Sequence, residues 1–499
     1  MKALYEQLKE YGESEYYPYH MPGHKRRQLG CMPEEILQID ITEIEGFDNL
    51  HQPEDILRSL QEKAARLYGA EESFYLVNGS TCGILSAISA ALPYGGHLLM
   101  ARNSHKAAYH AAYLRNLTVS YLYPTLLSEY DICDVITPKQ VKAALEAEPD
   151  IEAVFVVSPT YEGRIADIAG IAEVVHEKGL PLIVDEAHGA HLGLTKSSSK
   201  EKDTSSQVLS FHANSCQLGA DVVIHSVHKT LPAMTQTALL HVNGNIINRD
   251  RLRRFLHIYQ SSSPSYVLMA SIDNALRLVE KQGEALFLEF QQNFTQMLEI
   301  LSDCKFLQFS PMDGAQDMGK LVISSKRIGL PGQRIYDILL QEYHLQLEMA
   351  AGSYCLAMFT IGDTREAYER MCYALLSIDR DIAEGRIAVE ADCVEQEQPA
   401  GETECATRQL PLSATQDMNY ERLPLSAAWD KDNERIPLQD AIDRYVAEFI
   451  NLYPPGIPLL VPGEMLEEAM YSQLLQYLNQ GLNVQGVSAK APHLVKVLK

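Results

Sequence analysis

One lysine, Lys229, stands in a turn crowded with hydrogen-bonding groups, "IHSVHKTLPAMTQTALL" (224–240), directly after an apolar run that begins at Ala220. A lysine at the C-terminal end of a buried strand can condense with an aldehyde to form a Schiff base. A second apolar run, "LPLIVD" (180–185), opens the stretch "VDEAHGAH" (184–191), which sets Asp185 and Glu186 beside His188 and His191. A third, "SFYLV" (73–77), leads into "VNGSTCG" (77–83), where Ser80 and Thr81 begin an apolar helical pattern. Hydroxyls and free N–H groups at a helix N-terminus suit a phosphate dianion.

Other chemistries for "VDEAHGAH" fail on their partners. Asp185-Glu186-Ala187-His188 spells a helicase Walker B box, which requires a P-loop. Residues 314–320 do satisfy G-x-x-x-x-G-K, but Leu321 replaces the Mg²⁺-binding hydroxyl. The segment also leads into the strand-like "LVISS" rather than a helix, and it lies downstream of the acids. His188 and His191 are three apart, which lacks the i, i+4 spacing of zinc hydrolases, and no third ligand is evident. No metal site is expected.

Pyridoxal phosphate (PLP) needs a lysine for its aldehyde, a carboxylate for its ring nitrogen, a phosphate cup and a flat group over the ring. Lys229, Asp185 and the Ser80–Thr81 turn meet the first three, and Ser226 and His228 flank the lysine as further phosphate donors. His105, in "RNSHKAAYHA", is the candidate flat group. Plainer roles are open to each residue. A strand-end Asp can close a turn, Ser and Thr cap helices, and a histidine can do the same.

The elements that must position these groups follow from pattern. Short apolar runs at 73–77, 97–101, 152–158, 180–185, 220–227 and 237–242 alternate with helical stretches such as "DIAGIAEVVHEKG". That alternation predicts an α/β fold with a mostly parallel sheet covered by helices, plus a smaller C-terminal α/β domain. The domain expectations are an extended N-terminal arm (1–50), a cofactor-binding large domain (51–285) and a small α/β domain (286–385). An acidic linker or insertion (386–435) and a C-terminal domain (436–499) follow. Residues 386–435 carry 11 acids against 5 basic groups. A 13-residue repeat, "QLPLSA" (409–414), "RLPLSA" (422–427) and "RIPLQD" (435–440), runs through the linker, its third copy reading as a helix start. The four prolines of "YPPGIPLLVPGE" demand an extended or turning path there.

Lys+Arg number 42 and Asp+Glu 66, a net charge of −24. Such a chain repels phosphate backbones, so no nucleic-acid partner is expected. No apolar run reaches the roughly 18 residues of a membrane span. Nine scattered cysteines without a C-x-x-C pair suit a reducing cytosol, so the expected location is cytoplasmic.

Eight segments in register resemble the Orn/Lys/Arg decarboxylase family of fold-type-I PLP enzymes, in its short form. They are "HMPGHK" (20–25), "DITEIEGFDNLHQP" (40–53), "NGSTCG", "RNSHKAAYHA", "SPTYEG" (158–163), "VDEAHGAH", "SVHKTLPAMTQ" and "YPPGIPLLVPGE". The resemblance implies PLP on Lys229, with Asp185 on the ring nitrogen. It further implies Ala187 beneath the ring, His105 on the opposite face, and Ser80, Thr81, Ser226 and His228 at the phosphate. Thr160 would lie near the phenolic oxygen, and His188 occupies the place of an indole in many large members. The implied reaction is decarboxylation of arginine, lysine or ornithine, in that order of preference, feeding polyamine biosynthesis. His228 or Lys229 would supply the Cα proton. Glu348 and Glu464 are candidates for the substrate's distal charge. The implied assembly is a homodimer with shared active sites, or a higher oligomer. Another PLP enzyme of this fold (an aminotransferase or lyase) and a non-catalytic descendant are the competing readings.

Overall fold

In the computed structural model, residues 2–22, 24–28, 33–195, 211–310, 313–389, 425–452, 456–479 and 481–499 are described. The first two copies of the 13-residue repeat, apart from the last residues of the second, and most of the acidic segment lie outside them. The chain divides into two compact units. One comprises residues 1–98, 137–159 and 167–289; the other comprises 99–136, 160–166 and 290–499. This division is discontinuous in sequence, unlike the single cuts expected.

In the first unit the N-terminal residues form two helices, α1 (Leu4–Gly12) and α2 (Glu34–Ile39), where an extended arm was expected. Burial explains the difference. Leu4 and Leu8 are fully enclosed, and the Leu4 N–H donates to Asp273 at 3.0 Å. Helix α3 (Ile56–Tyr68) buries the stripe Leu57, Leu60, Ala64 and Tyr68, and ends on Gly69 in the left-handed region at φ 72°.

The first two apolar runs become strands β1 (Glu72–Leu76) and β2 (His97–Ala101), and β3 (Thr118–Leu122) is a strand that no apolar run announced. A short hairpin follows, β4 (Leu126–Leu127) with β5 (Ile132–Cys133). Then come β6 (Ala153–Val157), β7 (Leu182–Asp185), β8 (Val222–His225) and β9 (Ala238–Val242). Seven of them form one sheet in the order β1-β9-β8-β7-β6-β2-β3. β6, β7 and β8 are parallel, whereas β9 runs against both β8 and β1. Strands β7, β8 and β9 are buried along their whole length, as a sheet covered on both faces requires. Helix α4 (Gly79–Ala91) packs over β8. A Cβ added at Gly83 would stand 3.1 Å from the Ile224 side chain.

The second unit contains helix α5 (Lys106–Leu114) and an antiparallel sheet. Its strands are β10 (Gln308–Phe309), β11 (Lys320–Ser324), β12 (Met349–Ala351) and β13 (Tyr354–Met358), in the order β10-β11-β13-β12. Val322, Leu356 and Tyr354 share a core with Val446, Ile450, Leu460 and Leu474 from the C-terminal residues. The third repeat copy does not begin a helix. Residues 433–437 pair as a strand with Leu494–Leu498, and the chain stays extended beyond a short 3₁₀ turn at Leu438–Ala441. Tertiary hydrogen bonds override the helical spacing here: the N–H groups of Val446 and Ala447 donate to Glu464 and Lys496 carbonyls at 2.9 Å. Of the proline-rich path, residues 453–455 lie outside the described residues, Ile457–Leu460 is a strand and 462–463 form a turn.

That path is fixed by Arg102, which is almost fully buried just past β2. Its guanidinium donates to the carbonyls of Pro458 (2.7 Å) and Leu459 (3.1 Å) and to the Glu464 carboxylate (2.9 Å). Removing one partner of a buried pair leaves the other charge stranded. Arg102→Met is therefore expected to destabilise the protein by about 3 kcal/mol, read as a lower denaturant midpoint, with Glu464→Gln losing less and leaving substrate KM unchanged.

Candidate active site

The parallel register pairs Asp185 with Ile224, so β7 and β8 end level. At this edge the two chains exchange hydrogen bonds. The Glu186 N–H donates to Ile224 O at 3.0 Å and the Ser226 N–H to Ala187 O at 3.3 Å. The Asp185 carboxylate accepts the Ala187 N–H at 3.1 Å, which orients it through a two-residue turn. Lys229 lies in the single helical turn Val227–Thr230, its N–H on Ser226 O, and its Nζ lies 2.9 Å from His188 Nε2. His188 thus holds the lysine, a role the sequence did not reveal.

Burial raises the Asp185 carboxyl above its ordinary value, and the Lys229 charge opposes that rise. A buried acid in this position is matched to a cation. His228 donates from Nδ1 to Thr237 O at 2.9 Å, and burial lowers its pKa. The ring is therefore neutral with its lone pair on Nε2.

The phosphate candidates lie at the start of α4. Gly79 has φ 72°, a left-handed conformation, and a Cβ there would meet nothing within 4 Å, so space opens before the helix N-terminus. The Gly79 N–H is taken by Gln236 O at 2.9 Å, while Gln236 Nε2 donates to Val77 O at 2.7 Å. Gln236 therefore fastens the lysine loop to the turn that carries Ser80 and Thr81. Gln260 accepts the Val77 N–H at 3.0 Å, and Asn78 accepts the Ser261 N–H at 3.0 Å. None of these three amides was singled out in the sequence. Gln236 closes the lysine motif and Asn78 opens "NGSTCG", so two of the three lay within quoted segments without a role assigned to them. Ser226 Oγ is buried and has no hydrogen-bond partner among the described residues. An orphaned buried hydroxyl asks for a ligand, and the open N-terminus of α4 is suited to an anion. The residues present fit PLP.

Lys229, Asp185, Ala187, His188, Ser226, His228, Ser80 and Thr81 all belong to the first unit. His105 and Thr160 belong to the second. His105 caps α5, its Nδ1 accepting the Ala107 N–H at 3.2 Å, which is the plainer role open to it. Thr160 is buried and accepts the Arg164 N–H at 3.1 Å. Glu348 is exposed and accepts the Tyr161 hydroxyl. Glu464 accepts from Arg102 and from the Val461 N–H through a single carboxylate oxygen, which gives it an internal ion pair. The P-loop look-alike is a clamp in the second unit. Asp313 binds Arg164 through two hydrogen bonds of 2.7 and 3.0 Å, and Gln316 and Asp317 bond the backbone of Glu162 and Gly163.

An acid whose pKa is raised by folding binds its proton more tightly in the folded chain. Its stabilising contribution is present in acid and is lost as pH rises through the folded value. Asp185→Asn is therefore expected to raise the unfolding midpoint of the cofactor-free protein at neutral pH, with the gain vanishing in acid. Thermal scans across pH check this.

The description "Orn/Lys/Arg decarboxylase, major domain" matches residues 2–316, and that of the family's C-terminal domain matches 411–487. An arginine decarboxylase of Bacillus subtilis is 30% identical, covering 99% of this chain and 97% of its own. The constitutive lysine decarboxylase of Escherichia coli is 22% identical over 56% of this chain and 40% of its own. Among solved structures, a lysine decarboxylase of Francisella novicida superposes with TM-score 0.82 at 18% identity, covering 100% of this chain and 81% of that one. Lysine decarboxylase A of Pseudomonas aeruginosa gives 0.78 at 19%, covering 100% and 80%. Matched in sequence along most of its length, and in fold to decarboxylases of fold type I, the chain belongs to the Orn/Lys/Arg decarboxylase family.

Proposed function

We propose that this decarboxylase acts with PLP on a basic L-amino acid, arginine before lysine and ornithine, releasing the amine and CO₂. The observation that carries the reading is the buried Asp185 at the end of β7, level with the end of the adjacent parallel strand that leads into Lys229, with the Lys229 charge acting on its carboxyl. When bound, PLP supplies the sink for the electron pair left on Cα as CO₂ departs.

The chain's own groups do the rest. Asp185, kept ionised by a cation against it, holds a proton on the ring nitrogen. Ala187 leaves room for a flat ring, and the Ser226 hydroxyl, Ser80, Thr81 and the α4 N-terminus receive the phosphate. His188 would hold the Lys229 amine beside its own Nε2 whenever that amine is free. Lys229, or His228 once its Nε2 has taken up a proton, returns a proton to Cα, so each turnover consumes one proton. His105 over the ring and Thr160 at the phenolic oxygen are proposals carried by the family resemblance alone. Glu348 remains the proposed partner of the substrate's distal cation.

The preference for arginine rests on the arginine decarboxylases that align along nearly the whole chain. A homodimer with shared sites and a cytoplasmic location are further proposals. Among the described residues no helix is long and apolar enough to cross a membrane, and six cysteines are free.

The test is a panel of arginine, lysine and ornithine with product amines identified. Arginine is expected to be turned over fastest, without oxo-acid, and Lys229→Ala to lose about a thousand-fold in rate. Oxo-acid product, or full activity in Lys229→Ala, would overturn the assignment. Glu348→Gln is expected to raise KM for arginine more than it lowers kcat.

A further inference from the structure

The strands that present Asp185 carry a second constellation on their other face. Residues alternate between faces along a strand. Asp185 pairs with Ile224, on the face that meets α4, so Glu186 and His225 fall on the opposite face. Val223 pairs with His241, and His241 with Ser73, which brings both onto the face of His225.

Four side chains there form an unbroken line. Ser73 Oγ lies 2.6 Å from His241 Nδ1, His241 Nε2 lies 3.1 Å from His225 Nδ1, and His225 Nε2 lies 2.7 Å from Glu186 Oε2. The other carboxylate oxygen accepts the Ser215 hydroxyl at 2.7 Å, and the Ser215 N–H is shared between the two oxygens at 3.2 and 3.1 Å. Every member is at most 2% exposed. Tyr68 packs against both imidazoles, with ring centroids 4.8 Å from His225 and 4.6 Å from His241.

Three links need three hydrogens, and two arrangements supply them with both rings neutral. With Glu186 ionised, Ser73 donates to His241, His241 donates from Nε2 to His225, and His225 donates from Nε2 to Glu186. One proton added at Glu186 reverses every link. Glu186 then donates to His225 Nε2, His225 donates from Nδ1 to His241 Nε2, and His241 donates from Nδ1 to Ser73. The line gains one proton and one unit of charge, and neither ring becomes a cation. Burial enforces ring neutrality, pushing His225 down to about 3 and His241 well below its ordinary value. Burial also lifts Glu186 to about 8, so both arrangements are accessible near neutral pH.

We propose that Ser73, His241, His225 and Glu186 are positioning residues that act as one reversible proton chain and set the charge behind Asp185. The inference rests on the reading of Asp185 as the partner of the PLP ring nitrogen. The titratable groups facing Glu186 are Asp185, Tyr68, His191, Cys216 and His225. Ionised Glu186 repels the neighbouring Asp185 charge, whereas a cation held on Asp185 favours ionised Glu186. Cofactor capture and loss of the chain's proton therefore promote each other, as linkage requires.

The experiment follows the imidazole nitrogens of the full-length, cofactor-free protein by NMR with ¹⁵N-labelled histidine across pH. His225→Gln and His241→Gln assign the two rings. Both rings are expected to keep one N–H throughout and to exchange which nitrogen bears it in a single joint transition, absent in Glu186→Gln. A ring that gains a second proton, two separate transitions, no transition, or a transition that survives in Glu186→Gln overturns the proposal. Should Glu186→Gln not fold, Ser73→Ala serves instead: both rings should still change together at one shifted pH, and unequal shifts overturn it. The Asp185 reading fails independently, if Asp185→Asn captures PLP as tightly as the unaltered protein.

Discussion

A carboxylate kept out of water beside a lysine is the constraint on which the rest depends. Asp185 is buried at the end of β7, and burial works against its charge. The parallel ladder sets β8 level with β7, so the turn that carries Lys229 begins at the same edge. Neither group has a packing reason to be there. The Ala187 N–H, the Ser226–Ala187 backbone bond and the His188 ring restrict where both can go, which is the preorganisation that a cationic ring requires.

How much of this was legible depended on the range of each interaction. Lys229 and Asp185 stood out because each follows an apolar run, and a polar residue at a strand end is seldom there for packing. Ser80 and Thr81 were visible because Gly79, in the left-handed region, breaks strand from helix. Gln236 was not, since its work is done across the sheet on Val77 and Gly79. His225 and His241 were hidden for another reason. They sit within runs that read as buried strands, and only the ladder register reveals that they face one another.

The misreadings share a cause. Residues 439–453 have helical spacing, but their N–H groups find carbonyls 18 and 49 positions away, from Val446 to Glu464 and from Ala447 to Lys496. The ion-pair partner of Glu464, Arg102, lies 362 positions earlier and left no local sign in the sequence. The N-terminal helices carried too few apolar residues to announce themselves, yet Leu4 and Leu8 are wholly enclosed. In each case a long-range contact outweighed local propensity.

The span between Arg102 and Glu464 has a consequence for biosynthesis. At about 5–20 residues per second, a ribosome needs roughly 20–70 s to make the 362 positions that separate them. Throughout that interval the guanidinium beside β2 has no acid to meet, and the carbonyls of Pro458 and Leu459 that also receive it do not yet exist. The second unit therefore cannot close its Arg102 pair until Glu464 has been made, and a nascent polypeptide stalled before that point carries the guanidinium without its acid.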